Sequence, residues 1–182
     1  AERTQILRPN HGFLRPPLLA VTEHSENSVC FERAPDGPGV RIGVDPDGFQ
    51  ASLRFKNHGP ERVPTLPAIH PYFRVPPDGF SLRISDRLIE GKDVPSNTSP
   101  MEDMIISQPP GLPIEVHLHG IGRVKILTSA ACFYVVVWSD DTSRYVCVEP
   151  IYGKPGTYGT GNGTWLESGE EIESPVNFSF EP

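Results

Sequence analysis

Two short stretches carry residues able to move protons. In Pro67-Ala68-Ile69-His70-Pro71-Tyr72-Phe73-Arg74-Val75 an imidazole sits among apolar and aromatic residues, with a proline directly after it. The Pro71 ring disfavours the helical region for the preceding residue, so His70 is held extended. In Tyr145-Val146-Cys147-Val148-Glu149-Pro150 a carboxylate closes an apolar strand-like run, again just before a proline. Strand alternation puts Tyr145, Cys147 and Glu149 on one face and Val146 and Val148 on the other. A histidine and a glutamate, each fixed at a strand terminus, are the acid and base that proton transfer on a neutral substrate requires. The competing reading is plainer: a surface glutamate at a strand end and a histidine packed on Tyr72.

Other constellations are weaker. His117-Leu118-His119 places two imidazoles on one strand face, a spacing compatible with a metal. Zinc sites use three or four ligands and no third presents itself, so an exposed strand face and no metal are expected. Asp140-Asp141 reads as a turn rather than a catalytic dyad. The glycine-rich stretch 153–163 is followed by no lysine-serine pair and no helix, which excludes a P-loop. Cys147 as a nucleophile is disfavoured because an apolar strand raises a thiol pKa.

The elements that must hold these residues are strands. Among 182 residues there are 21 prolines and 17 glycines, too many for a helical protein. Strands are expected over 18–22, 28–33, 41–44, 49–56, 80–84, 101–107, 114–119, 123–127, 131–138 and 144–149, with 165–170 and an alternating tail at Val176, Phe178 and Phe180 finishing the sheet. Phe49, Ala51, Leu53 and Phe55 fall on one face of a half-buried strand. The Gly/Thr-rich loop 151–164 is long for a connector and is expected to serve as a pocket lid. Short strands spaced by turns predict an all-β sandwich or barrel, read as a single domain over 1–182.

Composition excludes several partners. A net charge of −7 without a basic run argues against nucleic acid and against an anionic membrane surface. The longest apolar run, 130–138, falls far short of the roughly 20 residues that span a bilayer. No signal peptide is visible, and Cys30, Cys132 and Cys147 read as free thiols in a reducing cytoplasm. The chain opens on Ala1 rather than Met, which fits processing or a piece of a longer chain.

Three motifs, in order, resemble the aldose 1-epimerase (galactose mutarotase-like) family, including its hexose-6-phosphate epimerase branch. His11-Gly12-Phe13-Leu14-Arg15 is similar to the family's loop with a sugar-contacting histidine and an arginine. His70-Pro71-Tyr72-Phe73 resembles its general-acid motif, and Val146-Cys147-Val148-Glu149-Pro150 its general-base motif. Leu166-Glu167-Ser168-Gly169-Glu170 is similar to the closing Leu-x-Pro-Gly-Glu.

The resemblance implies an antiparallel β-supersandwich that lacks its N-terminal strands, since only ten residues precede the first histidine loop. It implies a cofactor-free aldose 1-epimerase acting on a monosaccharide or sugar phosphate, with Glu149 as base and His70 as acid. His11, Arg15 and Asp103 would bind the sugar, and Tyr72, Phe73 or Trp165 would offer it an apolar face. The phosphosugar branch tends to have Asp-Arg where this chain has Asp103-Met104, leaving Arg15 and Arg74 as phosphate contacts. Two other readings stay open: a carbohydrate-binding relative without turnover, and a chain whose sheet is completed by a partner subunit.

Overall fold

The computed structural model describes residues 20–32, 39–45, 48–96, 104–109, 111–129, 132 and 134–182. In chain order the strands begin with β1 (Ala20–His24), β2 (Ser28–Glu32), β3 (Gly39–Asp45), β4 (Gly48–Lys56) and β5 (Val63–Thr65). Next come β6 (Tyr72–Arg74), β7 (Phe80–Ile84), β8 (Arg87–Glu90), β9 (Met104–Ser107) and β10 (Ile114–Leu118). The last five are β11 (Gly122–Thr128), β12 (Tyr134–Trp138), β13 (Tyr145–Ile151), β14 (Thr164–Leu166) and β15 (Glu171–Glu181). The only helical turn among the described residues is a 3₁₀ turn at Gly91–Asp93.

A nine-stranded antiparallel sheet runs β1-β2-β3-β4-β15-β11-β10-β7-β8, and a four-stranded sheet runs β6-β13-β12-β9. One apolar cluster joins them. Phe80, Leu82, Ile84, Ile114, Val116, Ile126, Val176 and Phe178 enter it from the large sheet. Ile106, Val135, Val137, Val146 and Val148 enter it from the small one. Alternation makes this possible, because every second residue of β7, β12 and β13 points to the same side. Each fully buried aliphatic side chain contributes about 1.5–3 kcal/mol. This is an all-β sandwich.

Two expectations need correction. Glu149 does not end its strand, because β13 runs on through Pro150 to Ile151. Phe49 is 43% exposed rather than part of the core, and it stacks on Phe178 with ring centroids 4.4 Å apart. Its strand neighbour Ser52 is buried instead, donating to a Glu173 carboxylate oxygen at 2.8 Å.

Three short strands, β5, β6 and β8, carried too few residues to signal by alternation. The pairing of β14 with β5 is held by Asn57, which is buried. Its side-chain amide donates to the carbonyls of Glu61 and Leu166, at 2.7 and 3.0 Å. Its backbone exchanges bonds with Gly169 and Glu170 of the closing motif. The 151–164 loop is a chain of turns: Thr157 N donates to Lys154 O, Thr160 N to Thr157 O, and Gly163 N to Thr160 O. At Gly163 a Cβ would stand 2.4 Å from the Thr157 carbonyl oxygen, so only glycine fits that turn.

Candidate active site

The segment carrying His70 lies along the open edge of β13 in one unshifted register. Tyr72 pairs with Cys147, Phe73 with Val146 and Arg74 with Tyr145. Beyond β6 the same alignment continues: Val75 N donates to Arg144 O, Ile69 N to Pro150 O, and Tyr152 N to Pro67 O, at 2.9, 3.3 and 2.9 Å. Ala68 bridges Ile151. His70 therefore stands directly opposite Glu149. Because Ile69 and Pro150 form the hydrogen-bonded neighbour, the 70–149 position is a non-hydrogen-bonded one, where side chains approach most closely.

Both prolines are placed where they do least harm. Pro150 turns its missing donor toward this edge segment, and Pro71 lies on the edge itself. The break they make in the ladder leaves His70 just ahead of β6.

His70 Nε2 lies 3.0 Å from Glu149 Oε1, with the two side chains 29% and 14% exposed. The imidazole stacks on Tyr72 at 4.9 Å and meets the edge of Trp138 at 6.3 Å between centroids. Tyr145 closes the aromatic group, 5.4 Å from Tyr72 and 5.8 Å from Trp138. Tyr72 is 61% exposed and faces the site, whereas Phe73 turns inward against the core. Trp165 is engaged elsewhere: its indole N–H donates to Thr160 O at 3.0 Å and Arg62 lies over its ring at 4.7 Å.

The sulfur of Cys147 sits beside the pair; one ligand atom each from His70, Cys147 and Glu149 lie within 4.8 Å of one another. Burial first, and the Glu149 charge second, push this thiol up to about 12, against the effect of a hydrogen bond with Tyr72. The Tyr145 phenol is likewise raised to about 12, by burial and then by its bond to Asp140 at 2.5 Å. Both stay protonated at neutral pH. A neutral thiol is a poor nucleophile, so the acid–base couple is the chemistry this face offers.

Of the residues singled out from sequence, His70 and Glu149 are brought together, while His11, Arg15 and Asp103 lie outside the described residues. Arg74 shares the site face, two residues along from Tyr72. His117 contacts Glu115 at 3.1 Å. His119 lies in the turn after β10, against Asp78 O at 3.0 Å and Ser81 Oγ at 3.4 Å. Asp141 accepts from Ser143 N and Oγ, as a turn residue does. Trp138 was missed as a site residue. Alternation along β12 could have found it, because Trp138 pairs with Cys147 and Val136 with Glu149 on the same face.

No protein-family model matches the sequence, and no curated protein sequence matches it. Solved structures do. The galactose mutarotase related enzyme from Lactobacillus acidophilus aligns with a TM-score of 0.75 at 16% identity, over 94% of this chain and 74% of that one. A galactose mutarotase-like protein from Lactobacillus casei gives 0.73 at 15% identity, over 96% and 76%. A TPR-domain containing protein from Parabacteroides distasonis gives 0.60 at 11% identity, over 92% of this chain and 35% of that one. The chain has the galactose mutarotase-like fold.

Proposed function

We propose that the chain is an aldose 1-epimerase, interconverting the α and β anomers of a hexose or hexose phosphate. The observation that carries this is the 3.0 Å contact between His70 Nε2 and Glu149 Oε1 on a partly open aromatic face. The two oxygens involved in ring opening, the anomeric hydroxyl and the ring oxygen, are bonded to the same carbon. An acid and a base serving them must be neighbours.

Glu149 takes the proton of the anomeric hydroxyl while protonated His70 gives one to the ring oxygen. The C1–ring-oxygen bond breaks as the C1 carbonyl forms. Rotation about C1–C2 and closure, with the proton transfers reversed, yield the other anomer without a cofactor. Each positioned proton-transfer group supplies roughly 10²–10⁴-fold. His11, Arg15 and Asp103 are assigned to sugar binding, and Tyr72 with Trp138 to the apolar face of the ring. Arg74 is the described candidate for a phosphate.

One core shared by both sheets supports a single unit over 1–182, and three buried free cysteines support a cytoplasmic setting. No helix among the described residues is long and apolar enough to cross a membrane. Polarimetry or NMR on freshly dissolved α-glucose, α-galactose and glucose 6-phosphate tests the activity: exchange faster than buffer on one of them is expected.

A second reading is a sugar-binding or subunit-like domain without turnover. It draws on the same fold occurring within the TPR-domain containing protein, since a fold alone does not fix an activity. Binding without accelerated exchange on any sugar would favour it. Pairing with a partner strand is offered by β9, an edge of the small sheet where Ile105 is 51% exposed. Light scattering reads that directly: a monomer counts against it.

A further inference from the structure

The acid and base do not stand alone on their face. A ring nitrogen of His70, the sulfur of Cys147 and a carboxylate oxygen of Glu149 converge within 4.8 Å of one another. A nitrogen, a sulfur and an oxygen donor are the ligand types of zinc, and a site with three protein ligands leaves a fourth position open. With bonds of about 2.0–2.3 Å, the donors around a tetrahedral zinc lie about 3.3–3.7 Å apart. The His70–Glu149 contact at 3.0 Å is within a few tenths of an ångström of that spacing, and the sulfur needs to close by about an ångström at most. Among the described residues His117 and His119 join no such group of three donors, whereas β13 aligns Cys147 and Glu149 with His70.

We propose that His70, Cys147 and Glu149 form a site for zinc or a similar thiophilic divalent cation, and that its occupation switches the acid–base pair off. Cys147 is wholly buried while His70 and Glu149 are partly exposed, so an ion enters past the pair and reaches the sulfur last. Binding forms metal–sulfur, metal–nitrogen and metal–oxygen bonds. The thiol proton, and the imidazole proton where Nε2 carries one, go to solvent, and nothing is oxidised. The bound ion occupies the Nε2 and carboxylate lone pairs that the epimerase mechanism needs. The inhibitory consequence rests on the acid and base roles proposed above; the metal site itself does not.

Cobalt(II) is the probe, added to the metal-free 182-residue chain. One equivalent with a near-ultraviolet thiolate-to-cobalt charge-transfer band is expected, displaced by zinc. Cys147→Ala should abolish the band, His70→Asn should weaken binding roughly tenfold or more, and Cys132→Ala should keep it. Zinc should lower the apparent kcat for anomer exchange in proportion to the fraction of sites it occupies.

Absence of the band from the parent protein overturns the site without reliance on any variant. So does its persistence in Cys147→Ala or undiminished affinity in folded His70→Asn. A band in a protein that accelerates no anomer exchange sinks the epimerase reading and leaves the metal site standing. Exchange that zinc does not slow, in a protein that binds cobalt through Cys147, removes the switch.

Discussion

Two histidine–glutamate contacts, one on each sheet, have nearly the same length: 3.0 Å for His70 with Glu149 and 3.1 Å for His117 with Glu115. Their surroundings differ. Glu115 also meets Arg83 at 3.6 Å and Arg123 at 3.2 Å, so two guanidinium groups as well as an imidazole contact it. Arg123 and Lys125 in turn bond Glu181 at the end of β15. The result is an ionic lattice tying β7, β10, β11 and β15 together. Glu149 instead has a thiol and aromatic rings beside its imidazole. The distance is nearly the same in both; Glu115 belongs to an ionic brace, whereas Glu149 belongs to the pair proposed above as base and acid.

The largest expected contrast is in activity. Glu149→Gln and His70→Asn should each slow anomer exchange by about 10²–10⁴-fold, whereas Glu115→Gln and His117→Asn leave it unchanged, by polarimetry at equal folded concentration. Loss in Glu115→Gln of the same order would erase the distinction. In urea titrations the order should invert. Glu115→Gln strands part of the positive charge of Arg83 and Arg123 and should lower stability by about 1–3 kcal/mol, with Glu149→Gln costing less. Equal costs would mean that Glu149 is a brace too.

The smallest effect is in acid. Hydrogen bonds from Lys125 first and Arg123 second hold the Glu181 carboxyl below its ordinary 4.5, so its contribution is present above that value. It is lost as pH falls through the lower folded value. The urea midpoint should therefore drop below about pH 4.5, and Glu181→Gln should remove part of the drop. An unchanged slope in that variant would take Glu181 out of the brace.

The fold was legible wherever alternation ran long enough. The runs read at 80–84, 114–119, 131–138 and 144–149 hold the strands Phe80–Ile84, Ile114–Leu118, Tyr134–Trp138 and Tyr145–Ile151 of the sandwich, the last reaching two residues further than expected. Val63–Thr65, Tyr72–Arg74 and Arg87–Glu90 did not announce themselves, since three or four residues are too few to display a period and two of these runs contain or adjoin proline. The sequence pointed to the two residues at the centre of the candidate site, through the proline after each, and the structure brings them within 3.0 Å. Trp138 was not, being read as one more residue of a buried strand.

By itself the sequence determined which side chains share a face: a strand's period of two places Tyr145, Cys147 and Glu149 together whatever the neighbours are. It also determined that His70 is extended, through the steric bulk of Pro71. Only the tertiary structure decided that Tyr72 aligns with Cys147, and hence that His70 meets Glu149 and a buried thiol. Local sterics act over a residue or two. The register of two strands distant in the chain is selected by the shared core, where a slip of one residue would turn Val146 and Val148 out of the sandwich.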